Sequence, residues 1–171
     1  KLGSPLAVKV VDINGAGVPN VPVEFDLLQG SAFLSTDPDS ICTNFQGNIW
    51  IESEEGILEY PMTIGKDTEA SNNRFAYTLD AYDGKGRYSF WVPCQGAYRL
   101  WMRVNATDGN SNSIRFAMDD TTEWIDSSSF DEGRGWYWDD LGMSFTLDIG
   151  FHTFYLKGRD ANTKIDRILL T

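Results

Sequence analysis

The stretch Gly96-Ala97-Tyr98-Arg99-Leu100-Trp101-Met102-Arg103-Val104 decides the fold. Side chains alternate between the two faces of an extended strand. Tyr98, Leu100, Met102 and Val104 therefore share one face, and Arg99, Trp101 and Arg103 share the other. The first set is apolar and belongs to a core; the second covers a neighbouring loop or lies open.

Working outward, the remaining periodic segments are also strands: Ile49–Glu54, Arg87–Val92, Ser113–Met118, Ser144–Ile149, Thr153–Lys157 and Lys164–Leu170. They are short and broken by Gly, Asn and Asp, and no helical period survives, a pattern that argues an all-β sandwich or jelly roll. Near the N-terminus, Leu6 to Ile13 alternates, Asn14-Gly15 is a turn signal, and Val21, Val23, Phe25 and Leu27 form a second alternating face. Pro19 and Pro22 place that second run at a sheet edge or after a bulge. Asp119 to Gly135, rich in Asp, Ser, Thr and Gly, reads as one long loop, and long loops in compact domains commonly carry function.

The 171 residues carry 25 acidic and 14 basic side chains, a net charge of −11. Phosphate polymers would be repelled, so nucleic acid is not an expected partner. No apolar stretch approaches the roughly 20 residues that span a bilayer, so no membrane partner is expected. No signal peptide is recognised, and the chain reads as a processed or excised piece of something larger. Aromatic residues make up 13% of the sequence, including six Trp, a supply that suits a core or a sugar-binding face. Cys42 and Cys94 sit in no CxxC or His/Cys cluster, which argues against zinc. They form either a disulfide, worth roughly 4 kcal/mol for a loop of that length, or two buried thiols; the bridge is preferred for a chain of extracellular character. His152, the single histidine, is read as packed or at the surface.

Residues 1–47 resemble the first half of a bacterial immunoglobulin-like domain of the invasin and intimin kind, through Leu6–Asp12, Gly17–Phe25 and Thr43–Gly47. Residues 48–171 resemble the galactose-binding-like β-sandwich carbohydrate-binding modules of families 6 and 35. The carrying motifs are Ile51-Glu52-Ser53-Glu54, Glu69-Ala70-Ser71, Tyr88–Pro93, Gly96–Val104, Trp136-Tyr137-Trp138, Gly150–Phe154 and Lys164–Thr171. Together the two resemblances imply a jelly-roll β-sandwich behind a short N-terminal immunoglobulin-like β segment.

Two constellations carry chemistry. Glu52 and Glu54 lie two apart on one expected strand, so their carboxylates share a face, and Asp166 has the parity of the inward-looking Ile168 and Leu170. First and last strands can lie side by side, and three converging carboxylates would attract a hard cation. The resemblance places a structural Ca²⁺ at these three residues; the alternative is solvated strand-edge carboxylates, with Asp166 paired to Arg167 or Lys164. The second constellation is a sugar platform, which needs aromatic planes for C–H faces and amides or carboxylates for hydroxyls. Phe75 and Tyr77, Asn112 with Asn110, Trp136 and Asn162 lie in loop regions of suitable composition. The resemblance assigns the grip on the sugar to Phe75 or Tyr77 and Trp136, and the hydroxyl contacts to Asn162. Two residues before Asp166, where the family often has its asparagine, stands Lys164, which suits an acidic sugar such as a uronic acid.

Asp119-Asp120 and Asp139-Asp140 are adjacent pairs that would face opposite ways on a strand and cannot flank one glycosidic bond. No nucleophile elbow or phosphate loop occurs. The expectation is a secreted, non-catalytic carbohydrate-binding module that targets a larger enzyme or surface protein to polysaccharide. The rival is a structural or adhesive subunit of a fibre or surface layer, assembled through open strand edges of the immunoglobulin-like segment.

Overall fold

The computed structural model describes residues 47–127 and 129–171. The immunoglobulin-like segment therefore lies, but for Gly47, outside the described residues, as does Cys42.

Eleven strands are formed among the described residues: β1 Ile49–Glu52, β2 Ile57–Glu59, β3 Met62–Lys66, β4 Arg74–Thr78, β5 Lys85–Val92, β6 Gly96–Asn105, β7 Ile114–Met118, β8 Ile125–Asp126, β9 Tyr137–Leu147, β10 Gly150–Gly158 and β11 Lys164–Leu170. One sheet runs β3-β4-β11-β6-β9, with β1 also paired to β11; the other runs β2-β5-β10-β7-β8. The result is an all-β two-sheet sandwich, consistent with a jelly-roll arrangement.

The alternation read from the sequence of β6 is realised. Tyr98, Leu100, Met102 and Val104 are buried while Arg99, Trp101, Arg103 and Asn105 turn to the outer side. Phe90 and Val92 of β5, Phe116 of β7, and Phe154 and Leu156 of β10 fill the core from the facing sheet. Phe116 and Phe154 stack with ring centroids 5.9 Å apart. β1 and β11, the first and last strands described, pair side by side with Ile51 opposite Ile168.

Four local expectations are corrected. β2, β3 and β4 fall outside the expected strands, and Phe75 and Tyr77, expected in a loop, stand on β4, where Phe75 and Ala76 are buried in succession. β9 begins at Tyr137 rather than Ser144, because Asp139-Asp140-Leu141-Gly142 is held by pairing with β6 and not by an apolar pattern. The stretch from Asp119 to Gly135 contains β8, paired to β7, and is not wholly loop. Glu52 closes β1, and Ser53–Glu55 is a 3₁₀ turn, so Glu52 and Glu54 do not share a strand face.

Candidate functional site

Phe75 and Tyr77 lie two apart on β4, so both rings leave the same face of the sheet. Ala76 and Thr78 between and beyond them are buried, Ala76 opposite the core residue Ile165. Beneath Phe75 lies Gly65 of β3, its cross-strand partner. A β-carbon there would stand 2.2 Å from the tip of the Phe75 ring, so the glycine is what lets that ring lie flat on the strand.

Trp136, just ahead of β9, packs on the other side of Phe75 with centroids 5.4 Å apart; Phe75 and Tyr77 are 5.5 Å apart. The rings form a half-open cluster: Phe75 is buried, and Tyr77 and Trp136 are half-buried. Trp136 Nε1–H donates to Asp67 Oδ2 at 3.0 Å. Asp67 also accepts from the Glu69 N–H, and that bond, then the indole bond, holds its carboxyl below the usual range. Arg103, from the outer face of β6, sits 5.6 Å from the Trp136 ring centre, and Lys164 Nζ sits 5.6 Å from that of Phe75. Asn162 lies in the turn before β11 at φ 62°, exposed, its N–H donating to the Thr78 carbonyl at 2.8 Å. The structure thus brings Phe75, Tyr77, Trp136 and Lys164 together. Asn112 is spent elsewhere: it is buried, its side-chain amide donates to Glu132 at 3.2 Å and its carbonyl accepts from Phe130.

Sequence reasoning missed Asp67, Gly65 and Arg103. Arg103 was legible as an outward residue on β6, though not what it covers; its guanidinium reaches the Glu69 carbonyl at 3.1 Å. Asp67 and Gly65 act through long-range neighbours and left no local signal.

The acidic constellation takes a different form from the expected one. Ile165 and Ile168 are both core residues, so the two residues between them cannot alternate, and β11 has a bulge there. Asp166 is thereby released from inward parity, and its carboxylate, fully buried, pairs with Arg103 and accepts from the Ser71 N–H at 2.9 Å. Its partner is thus neither Arg167 nor Lys164. Arg167 pairs with Glu52 across 2.9 Å, its N–H not aligned for a hydrogen bond. Glu52 also accepts from Ser71 Oγ at 3.3 Å, and Glu54 from the Asn72 amide at 3.1 Å. Burial pushes the Glu52 carboxyl above its ordinary value against the pull of Arg167, and the charges of Glu54 and Asp166 push the same way.

Among the described residues no group of three His, Cys, Asp or Glu is placed to hold a metal. The donor set fits a hard cation in part. Glu52 Oε2 and Glu54 Oε2 are buried without hydrogen-bond partners, whereas Asp166 is already neutralised by Arg103.

The other acidic pairs are in use. Asp139 and Asp140 follow one another on β9, and Asp140 makes a forked ion pair with Arg99, both Nε contacts at 2.9 Å. Asp119 meets His152 Nδ1 at 2.6 Å and the Thr153 N–H at 2.7 Å. A cavity of about 540 Å³ opens away from the aromatic cluster, lined by Met118, Asp119, Ile125, Phe145 and Leu147 among others. Cys94 is buried, and no free cysteine occurs among the described residues.

The all-β sandwich resembles in fold the carbohydrate-binding modules of families 6 and 35. The family 35 carbohydrate-binding module of Clostridium thermocellum is similar at TM-score 0.60 and 13% identity, over 72% of this chain and 97% of that one. The C-terminal CBM6 of LamC, a marine laminarinase of Zobellia galactanivorans, is similar at TM-score 0.59 and 14% identity, over 73% and 99%. A Podospora anserina GH26-CBM35 β-(1,4)-mannanase is similar at TM-score 0.60 and 16% identity; the match covers 74% of this chain and 28% of the mannanase. No family model and no curated protein sequence matches the chain.

Proposed function

We propose that the chain is a non-catalytic, extracellular glycan-binding module that holds saccharide at the Phe75–Tyr77–Trp136 cluster and targets a larger protein to polysaccharide. The observation that carries this reading is the set of three rings, two of them half-open, with Asp67 on the Trp136 indole and Lys164 beside Phe75. Sugar C–H faces stack on such planes, and hydroxyls need a carboxylate or amide beside them. Asp166, reached from the cluster through Arg103, is already neutralised by that arginine, which favours binding over hydrolysis there. Ca²⁺ belongs to the same reading as a structural ion, with Glu52 and Glu54 supplying the oxygens that lack partners.

Affinity electrophoresis against a panel of neutral glycans, with Ca²⁺ present, tests the reading. At least one glycan retards the chain, and Trp136→Ala weakens that retardation roughly tenfold, the scale of one aromatic contact. No retardation by any glycan, or equal retardation of Trp136→Ala, overturns it.

A further inference from the structure

Trp91, Ile149 and Phe151, large apolar residues exposed on the described sandwich, gather at one of its ends. Trp91 on β5 stands directly opposite Phe151 on β10, and the two rings meet edge-on with centroids 5.0 Å apart. They are 42% and 55% exposed, and Ile149, in the turn between β9 and β10, is 48% exposed. Trp50 and Tyr82 differ: the Arg167 guanidinium caps the first at 4.4 Å with Trp138 beside it, and Arg115 lies over the second. Single exposed apolar side chains are ordinary, whereas a group of them open to solvent marks a surface that something covers.

The strand register shows what arrives there. Gly96 at the start of β6 pairs with Leu147, and Gly150 pairs with Val92, so the end of β5, the start of β6 and the β9–β10 turn lie together. β1 enters the fold at the same end. Ile49 pairs with Leu170, and the next residue, Thr171, exchanges backbone hydrogen bonds with Arg99, three residues past Gly96. β1 also packs across the sandwich from β5. The chain ahead of Gly47 therefore joins the sandwich at the end that carries Trp91 and Phe151.

Residues 1–46 need a surface to cover. Their sequence offers two alternating runs, one with Leu6, Val8 and Val10 on a face and one with Val21, Val23, Phe25 and Leu27. A β layer with one apolar face is stable only against a second layer, and so short a segment seldom supplies a core of its own. The Cys42–Cys94 bridge preferred from the sequence would fasten this segment three residues from Trp91.

We propose that residues 1–46 dock on this end of the sandwich and lay Val21, Val23, Phe25 and Leu27 over Trp91, Ile149 and Phe151. The Trp136 cluster then keeps a fixed direction relative to the segment, and the ends of β5 and β10 are closed to other partners. The docking does not depend on the glycan-binding reading of the Trp136 cluster.

Hydroxyl-radical footprinting of the full chain, read residue by residue by mass spectrometry, tests this. Exposed Tyr60 and Tyr82 and buried Phe116 serve as internal references. In the wild type, Trp91 and Phe151 are labelled several-fold more slowly than Tyr60 and Tyr82 after correction for intrinsic reactivity. Phe25→Asp raises the labelling of Trp91 and Phe151 several-fold. Phe151→Asp raises that of Phe25 by a similar factor, and the references stay unchanged in both variants. The second variant guards against mere misfolding of the segment, because its substitution lies outside it and Phe116 reports on the core. Wild-type labelling of Trp91 and Phe151 as fast as that of Tyr60 and Tyr82 overturns the proposal. So does unchanged labelling of Phe25 in Phe151→Asp. Protection that fades on dilution assigns the cover to a second copy and overturns it too.

Discussion

Asp67 fixes Trp136 by one hydrogen bond from the indole N–H, and the carboxylate is itself held in its charged form by the Glu69 N–H and the indole. Removing that acceptor leaves the ring packed against Phe75 but free to rotate. Asp67→Ala therefore lowers neutral-glycan affinity roughly fivefold, with little change in melting temperature, since the bond lies near the surface. Calorimetric titration beside a thermal melt checks both halves. Glu52 behaves differently, because burial disfavours its charge and one of its oxygens has no partner. Saturating Ca²⁺ raises the melting temperature of the wild type by several degrees, the effect expected from about 2.7 kcal/mol at a hundredfold excess over Kd. Glu52→Gln abolishes that rise. Equal Ca²⁺ shifts in both proteins would remove Glu52 from the ion's ligands.

At the scale of elements, two irregularities shape the site. Gly65 on β3 leaves room for the Phe75 ring, which would otherwise meet a β-carbon at 2.2 Å. Gly65→Ala therefore lifts the ring off the strand and displaces Trp136 with it; glycan affinity drops roughly tenfold, by analogy with loss of one aromatic contact. The core beneath remains, because Ala76 and Ile165 face the other way. Affinity electrophoresis of the variant, together with unchanged far-ultraviolet circular dichroism, tests this. The second irregularity is the bulge in β11, which turns Asp166 toward Arg103 and Ser71. Through Arg103, which also reaches Trp136 and the Glu69 carbonyl, it links the buried acidic cluster to the aromatic one. Alternation located β6 and β11 but not β2, β3 or β4, because those strands are defined by their partners rather than by their own periodicity.

For the whole molecule, the titrating groups set a stability maximum at acidic pH. Burial pulls the His152 imidazole down, but the Asp119 carboxylate, the Asp148 carbonyl and the charges of both aspartates outweigh it and leave it above its ordinary value of 6.5. A raised histidine contributes stability that is complete below 6.5 and is lost as pH rises through the folded value. Glu52, raised above 4.5, acts in the same direction over its own window in the absence of Ca²⁺. Asp67, Asp120 and Asp140 are lowered from 3.8; they contribute above that value and lose their effect on further acidification. Thermal melts in chelator therefore peak between about pH 3.8 and 4.5, decline first as Glu52 loses its effect and decline again above 6.5 as His152 does. Asp119→Asn flattens the decline above 6.5, and Ca²⁺ flattens the part due to Glu52. A melting temperature still climbing from pH 6.5 to 8 in the wild type would contradict this assignment.

The sequence by itself determined the architecture and the chemistry on offer. A period of two in β6, β10 and β11, with no helical period, leaves a two-layer β fold, while Phe75, Tyr77 and Trp136 offered aromatic planes whose joining in one site was only what the family resemblance implied. Only the tertiary structure decided who meets whom. Asp67 and Trp136 are far apart in sequence, Arg103 chose Asp166, Lys85 faces Lys157, and Asn112 was drawn off to Glu132. The reason is physical: periodicity reports which face a side chain leaves, whereas partners are set by sheet order, register and a bulge, and those follow from pairing among distant strands.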